Sequence, residues 1–297
     1  MRAYLTGGTG FVGAWLLRHL FDVGDTAVAP GPEVDVTDLA LLAPDVQAAQ
    51  PDVVYHLAAL THVGRSWAEP AETFRVNALG TLNLLEAAAR CQVPPIVVVV
   101  SSAEVYGPVS DAEPLDEQAE LRPVTPYAAS KVAAEFLGLQ AFLGRGLRVV
   151  RARPFNHVGP GQADDFVVSA LARRMVEAER AKVGFVRVGN LAASRDFTDV
   201  RDVVRAYRLL ALNGVAGEAY NVCSGRALSI AELAQQMAGL LSYRVEMVED
   251  PALFRPVEVP ILLGDASKLM TATGWKPEIA LDETLSDVLG YWRGRLG

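Results

Sequence analysis

Two short stretches of the sequence hold the side chains best suited to chemistry. Residues 101–107 read SSAEVYG and residues 127–131 read YAASK. Tyr127 and Lys131 are four residues apart, so on a helix they share one face about one turn apart. A lysine ammonium at that distance favours the phenolate, so we expect a lowered tyrosine pKa and a usable proton shuttle at Tyr127. Ser102 follows the apolar run IVVVV and can polarise a carbonyl oxygen that Tyr127 protonates.

The Tyr127/Lys131 spacing by itself also fits a packed tyrosine beside a lysine whose stem lies along the protein. The position of Ser102 favours chemistry, because open α/β sheets bind ligands at the carboxyl ends of their strands. A strand, then a serine, then a helix with this pair is the order that one proton-transfer site requires. The combination is therefore more specific than any of its parts.

The elements that must position these side chains follow from the periodicity of the chain. Up to about residue 155, β-branched runs alternate with segments of helical period, which predicts βαβ units and a parallel sheet covered on both faces. The predicted strands are 2–6, 26–29, 53–57, 96–101 and 147–151, and the predicted helices are 11–21, 39–50, 71–90 and 127–144, with Leu79, Leu82 and Leu85 buried. Residues 1–155 are expected to form this domain, and residues 156–297 mainly a smaller lobe.

A glycine-rich loop, TGGTGFVG at residues 6–13, follows the first strand and opens the first helix. Gly7, Gly10 and Gly13 would let a dinucleotide pyrophosphate approach the helix N-terminus, although a glycine-rich turn without a ligand is the structural alternative. The second predicted strand ends in APGP, which has neither the acid typical of NAD(H) sites nor the cation typical of NADP(H) sites. Either cofactor therefore remains open, and Asp35-Val36 would reach adenine unless Asp35 is a solvated loop acid.

The composition of the chain limits the classes of molecule that it is expected to bind. A net charge of -8 and a pI near 5.1 argue against nucleic acid and acidic membranes, so any anionic ligand must be held by local arginines. Two cysteines make no disulfide framework, and four histidines without ligand spacing predict no metal site. With no room for a signal peptide ahead of the first strand and no apolar run long enough to span a membrane, we expect a soluble cytoplasmic protein.

The quoted stretches, together with LAA at 57–59 and RPFN at 153–156, resemble the extended short-chain dehydrogenase/reductase family of sugar-nucleotide epimerases, dehydratases and reductases. The similarity covers the whole chain and is greatest to reductases of GDP-4-keto-6-deoxy sugars, with GDP-mannose 4,6-dehydratases as near relatives. It implies a Rossmann-type doubly wound parallel sheet with a smaller C-terminal α/β substrate lobe, and a homodimer formed through two helices.

The resemblance also implies roles for individual residues. The catalytic residues would be Ser102, Tyr127 and Lys131, with the last two also touching the cofactor. The remaining cofactor contacts would be Gly7, Gly10, Phe11, Val12, Gly13, Asp35, Val36, Leu57, Ala58, Ala59 and Thr61. The substrate contacts would be Ser102, Ala103, Glu104, Asn156, Arg195, Arg255 and Glu258. Arg255 and Glu258 would otherwise pair with each other, and the charges of SRDFTDVRD at residues 194–202 are expected to form an internal network.

Ala103 bears on the reaction. The dehydratases of this family resemble one another in carrying Thr-Asp-Glu or Thr-Ser-Glu where this chain has Ser102, Ala103 and Glu104. A methyl group neither donates nor relays a proton, so elimination of water is expected to be poor even with Glu104 as a base. We therefore expect ketone reduction of a GDP-linked 4-keto-6-deoxy sugar, with an epimerase, a dehydratase and a non-catalytic nucleotide-sugar sensor as alternatives.

Overall fold

The structure, a computed structural model, describes residues 1–31, 33–109, 113–253 and 259–297. In these ranges the strands are β1 (Arg2–Thr6), β2 (Thr26–Val28), β3 (Val53–His56), β4 (Ile96–Val100), β5 (Val149–Pro154), β6 (Asn156–Val158), β7 (Phe185–Val188), β8 (Ser194–Asp199), β9 (Ala219–Val222), β10 (Ala227–Ser229), β11 (Glu246–Glu249) and β12 (Ile261–Leu262). The α-helices are α1 (Phe11–Asp22), α2 (Leu39–Ala49), α3 (Val63–Ala68), α4 (Pro70–Phe74), α5 (Gly80–Ala89), α6 (Pro126–Arg145), α7 (Val167–Ala181), α8 (Val200–Asn213), α9 (Ile230–Gly239), α10 (Ser267–Thr273) and α11 (Leu281–Leu296).

The large sheet has six parallel strands in the order β2-β1-β3-β4-β5-β9. Alternate residues of β4 face opposite sides, with Val98 in the core beneath α1 and α8 and Val97 and Val99 in the core beneath α2 and α5. Each core removes apolar side chains from water, which explains why β4 is apolar on both faces. The predicted α/β fold with a parallel sheet covered on both sides is confirmed.

The chain leaves β1 for β2 on one side and then crosses back to β3 on the other side. This reversal creates a crevice at the carboxyl ends of β1 and β3, which is where open α/β sheets bind their ligands. The glycine-rich loop follows β1, and the LAA segment follows β3, so both lie at this crevice.

The predicted helix over residues 71–90 is interrupted. The structure has α4, a π-helical turn at Arg75–Leu79, and then α5. Leu85 is buried as predicted, Leu82 is half-buried, and Leu79 is 42% exposed, against the prediction. Residues three apart fall about 60° short of a full helical turn, so the three leucines do not lie on one stripe. The buried position in the turn belongs to Asn77, whose side chain bonds the chain at Leu60.

Beyond residue 155 the chain builds two smaller sheets but also returns to the large one. β6, β8, β10 and β12 form one sheet and β7 and β11 the other, with an apolar core of their own. In contrast, α8 packs against α1, and β9 pairs in parallel with β5 at the edge of the large sheet. Residues 200–222 thus complete the first lobe, so residues 156–297 do not lie in one lobe alone; the division at residue 155 stays a prediction.

Strand β5 also differs from its prediction, since it begins at Val149 and runs to Pro154 instead of covering residues 147–151. The start is later because α6 ends in the left-handed Gly146, after which the amide of Leu147 bonds back to the carbonyl of Ala141. The end is later because β9 supplies a partner up to Pro154. The sequence near residue 150 does not predict the pairing with β9, because β9 lies about 65 residues further along the chain.

Candidate active site

The structure brings Ser102, Tyr127 and Lys131 together at the carboxyl end of β4. Helix α6 begins beside this end because Thr125 caps it by accepting the amide of Ala128, while Pro126 fills the first helical position. Tyr127 and Lys131 then face the end of β4, and their exposed fractions are 7% and 5%. The ammonium of Lys131 donates to the carbonyl of Val100 at 2.8 Å. The predicted grouping of the three side chains is thus present.

Ser102 is oriented by its own backbone. It is the N-cap of a 3₁₀ helix at Ala103–Tyr106, and its Oγ accepts the amide of Glu104 at 3.2 Å. The Ser102 hydroxyl also acts on the phenol of Tyr127, whose pKa it lowers. Because one lone pair of Oγ is used by the amide, the serine proton is available to an oxygen placed between Ser102 and Tyr127.

The expected lowering of the Tyr127 pKa is wrong for this chain. Burial, together with the nearby charge of Glu104, raises the Tyr127 pKa to about 12, and the hydrogen bond from Ser102 offsets only part of this. Burial also lowers the pKa of Lys131 to about 8, with Glu135 acting in the opposite direction. Tyr127 therefore holds its proton at neutral pH, as an acid that protonates a ketone oxygen must.

Two further polar side chains line this end of the sheet: Asn77, which the sequence did not identify, and His56, which it identified only as a packed or solvent-facing imidazole. Asn77 accepts the amide of Leu60 at 2.8 Å and donates to its carbonyl at 3.0 Å, and it also donates to Ser130, which precedes Lys131 in the chain. His56 is buried between Thr6 and Thr81, at 2.7 and 2.9 Å, and burial near Lys131 lowers its pKa to about 3. His56 is therefore a neutral structural link. The position of His56 at the end of a strand could have placed it near the site from the sequence, whereas a single asparagine in a helix, such as Asn77, gives no such signal.

The glycine-rich loop fits a dinucleotide. A Cβ at Gly7, where φ is +73°, would lie 2.7 Å from the amide nitrogen of Ala58, and one at Gly13 would lie 2.2 Å from the carbonyl oxygen of Gly7. The loop and the LAA segment thus touch through bare backbone. Gly10 caps α1 and brings no side chain to its first turn, so the amides there can receive a pyrophosphate.

The other predicted cofactor residues surround this loop. Leu57 and Ala58 bond to Thr6, and a cavity of about 210 Å³ includes Ala59 and Thr61 in its lining. Val36 is buried, whereas Asp35 is exposed and its carboxylate accepts the amide and hydroxyl of Thr37. Phe11 stacks on His157 with the ring planes 7° apart, which joins the first turn of α1 to the second lobe. Contact of these residues with a dinucleotide stays a prediction.

The predicted substrate residues are only partly described. Asn156 and Arg195 are half-buried, on β6 and β8, two neighbouring elements of the second lobe's four-stranded sheet. Arg255 and Glu258 lie outside the described residues. Ala103 is 2% exposed in the apolar core, so its methyl group packs beneath the site.

The charges of residues 194–202 form an internal network, as expected. Asp196 is fully buried and accepts the amides of Ser224 and Gly225, which fixes the loop after β9. Asp199 pairs with Arg201 at 2.7 Å, and Asp202 pairs with Arg205 at 2.6 Å. These carboxylates stabilise the junction of β8, α8 and β9.

Over the described ranges, no group of three or more His, Cys, Asp or Glu side chains could hold a metal ion, and no helix is long and apolar enough to cross a membrane.

Comparison with known proteins agrees with this geometry. The model of the GDP-mannose 4,6 dehydratase family matches residues 32–288. A GDP-6-deoxy-D-mannose reductase from Pseudomonas aeruginosa is 40% identical over 299 residues, covering 99% of this chain and 98% of the relative. A solved structure of RMD from the same species, complexed with NADPH, superposes with a TM-score of 0.93 at 40% identity over 99% of both chains. A Thermotoga maritima UDP-glucose 4-epimerase with UDP-glucose superposes at 0.92, with 26% identity over 100% of both chains. The chain therefore belongs to the GDP-mannose 4,6-dehydratase family of extended short-chain dehydrogenases/reductases, a family of NAD(P)-dependent enzymes.

Proposed function

We propose that the protein reduces the C4 ketone of a GDP-linked 4-keto-6-deoxy-hexose, using NADPH or NADH. The observation that carries the proposal is the grouping of the buried Ser102, Tyr127 and Lys131 at the end of β4, in a site where the residue after the serine is Ala103. The full-length similarity to a GDP-6-deoxy-D-mannose reductase supports the same substrate class. The cytoplasmic location expected from the two cysteines stays a prediction.

The side chains have distinct tasks in this reaction. A bound dihydronicotinamide supplies the hydride that C4 accepts. Ser102 donates a hydrogen bond to the ketone oxygen, and Tyr127 transfers its proton to that oxygen as negative charge develops there. The ammonium of Lys131, fixed by the Val100 carbonyl, stabilises the phenolate that Tyr127 leaves behind.

The function is tested by mixing the protein with a GDP-4-keto-6-deoxy-hexose and a reduced nicotinamide cofactor. We expect the nicotinamide absorbance to fall in step with the formation of the 4-hydroxy product. Turnover of a nucleotide sugar without added cofactor, by protein that carries NAD after purification, would instead identify an epimerase.

The residues that follow β2 allow a prediction about the preference between NADPH and NADH. Residues 29–31, Ala-Pro-Gly, have neither a carboxylate for a ribose hydroxyl nor a cation for a 2'-phosphate, and Pro32 lies outside the described residues. We expect both NADPH and NADH to be used, with kcat/KM values that differ by less than about a thousandfold, or roughly 4 kcal/mol. Steady-state kinetics with each cofactor measures this. A larger ratio would show that another residue reads the 2' position.

We also propose that the protein is a homodimer formed through α6 and the α4–α5 segment. These packed helices expose Phe74, Leu79, Phe136 and Leu143, of which Leu143 is 72% exposed. Apolar side chains exposed on one helical face are typical of an interface between subunits.

Substitution at this face is expected to break the dimer. Phe136→Glu places a charge in the proposed interface, so it is expected to give a monomer by light scattering after size exclusion. Phe21→Glu is the matched control, because Phe21 is 80% exposed on α1, outside this face. A wild-type monomer, or a dimer in both variants, would contradict the proposed interface.

A further inference from the structure

A buried carboxylate continues the line of catalytic side chains along α6. Tyr127, Lys131 and Glu135 stand at successive intervals of four residues, and all three are buried. Side chains four apart lie one above the other on a helix, so Glu135 is the next side chain beyond Lys131. Its side chain has 0% exposure, and an ionised group removed from water to this extent requires fixed partners.

Two arginines of β5 provide those partners. Arg153 donates from Nε to one oxygen of Glu135 at 2.8 Å and from Nη2 to the other at 2.9 Å. Arg151 lies 3.6 Å from the same carboxylate. Tyr106 accepts a further hydrogen bond from Arg153 and donates to Asn221 on β9, which anchors the guanidinium across the sheet. The two-pronged pairing leaves Glu135 little freedom to move.

Glu135 acts on Lys131 through space. Lys131 donates to the Val100 carbonyl, while the carboxylate oxygens of Glu135 accept from Arg153. Burial lowers the pKa of Lys131 to about 8, and the charge of Glu135 counteracts part of that fall. Without the carboxylate, the two buried guanidinium groups that contact Glu135 would lose their counter-charge.

Other ionisable groups around this part of α6 belong to neighbouring segments, among them Tyr207 on α8, which is buried near Tyr127. Strand β5 contributes Arg151 and Arg153. The 3₁₀ helix contributes Glu104, which lies near Tyr127, and Tyr106, which is bonded to Arg153. Strand β3 contributes the neutral His56, and the loop before α6 contributes Glu117, whose backbone carbonyl accepts a hydrogen bond from Arg153. Glu135 is the carboxylate that touches both arginines.

We propose that Glu135 is a positioning residue: its fixed negative charge, held by Arg153, keeps Lys131 in its ammonium form and so sets the upper pH limit of the Tyr127–Lys131 pair. This inference rests on the proposed oxidoreductase function. It predicts opposite effects for removal of a negative and of a positive charge in the same cluster, which a general loss of packing would not produce.

The test compares two variants by their pH dependence. Glu135→Gln is expected to lower the midpoint of the alkaline loss of kcat/KM by about one pH unit, because the lysine then loses its proton more readily. Arg151→Met leaves the Glu135–Arg153 pair in place and removes the positive charge 3.6 Å from the Glu135 carboxylate. Less of the negative charge is then neutralised, so the midpoint is expected to rise. NADPH affinity, followed by nicotinamide fluorescence over the same pH range, is expected to move in parallel because Lys131 is a predicted cofactor contact.

Controls separate this inference from folding and from the proposed function. Glu117→Gln neutralises a carboxylate whose side chain bonds Asn221, and it is expected to leave the midpoint unchanged. If Glu135→Gln does not fold, Glu135→Asp, which keeps the charge, is expected to hold the wild-type midpoint, and Arg151→Met must still raise it. Equal midpoints in all variants, or shifts of the same sign, would overturn the inference. Absence of NADPH and NADH binding by the wild type at every pH would overturn the proposed function instead.

Discussion

Tyr127→Phe is expected to lower kcat by about 10² to 10⁴, the usual contribution of a positioned proton donor. In the proposed reaction the phenol protonates the ketone oxygen, and burial raises its pKa to about 12, so it carries that proton throughout the neutral range. Phenylalanine keeps the ring that packs at the start of α6. The affinity for NADPH, measured by fluorescence titration, is expected to change by only a few fold.

The matched control is Tyr243→Phe, which removes an exposed phenol that donates to the Lys182 carbonyl in the second lobe. It is expected to keep kcat within about twofold of the wild type, as surface substitutions usually do. Single-turnover measurements at saturating cofactor would separate chemistry from product release. If Tyr127→Phe kept more than about a tenth of the wild-type kcat, Tyr127 would not be the proton donor.

GDP-mannose is expected not to be dehydrated. Dehydration begins with oxidation at C4, which Ser102, Tyr127 and Lys131 could support, so the difference lies in the following loss of water. Glu104 could remove the C5 proton, but Ala103 has nothing to protonate the departing hydroxide. Loss of a general acid commonly costs about 10² to 10⁴ in rate, which makes the elimination negligible beside ketone reduction.

The measurement supplies GDP-mannose with catalytic NADP and follows the mass of the sugar for the loss of one water. The same preparation must reduce the 4-keto-6-deoxy sugar, which shows that the protein is active. Steady formation of the 4-keto product at about 1 s⁻¹ or faster, an ordinary enzyme rate, would reject the reductase function and make Glu104 the base of a dehydratase.

Local patterns in the sequence were enough to predict the parts of the site that depend on short stretches of chain. The glycine-rich loop predicts a tight turn with room for backbone atoms but not for side chains at Gly7, Gly10 and Gly13. The spacing of Tyr127 and Lys131 predicts that they share one face of a helix. Ser102 is identifiable because it ends a strand that is apolar on both faces. The specific roles of these residues came from the family resemblance, since spacing alone also fits a packed tyrosine.

Tertiary structure decided the features that depend on distant segments. The π-helical turn contains Asn77, whose side chain bonds the chain at Leu60, and helical periodicity cannot foresee this turn because it assumes a constant 3.6 residues per turn. Strand β9 joins the large sheet about 65 residues after β5, because edge pairing depends on which strand is brought to the edge and not on local propensity. The Tyr127 pKa rose instead of falling because burial, a property of the whole fold, outweighed its neighbours. Glu135 and Arg153 are ordinary charged residues in the sequence; only the contact between α6 and β5 makes them a buried pair.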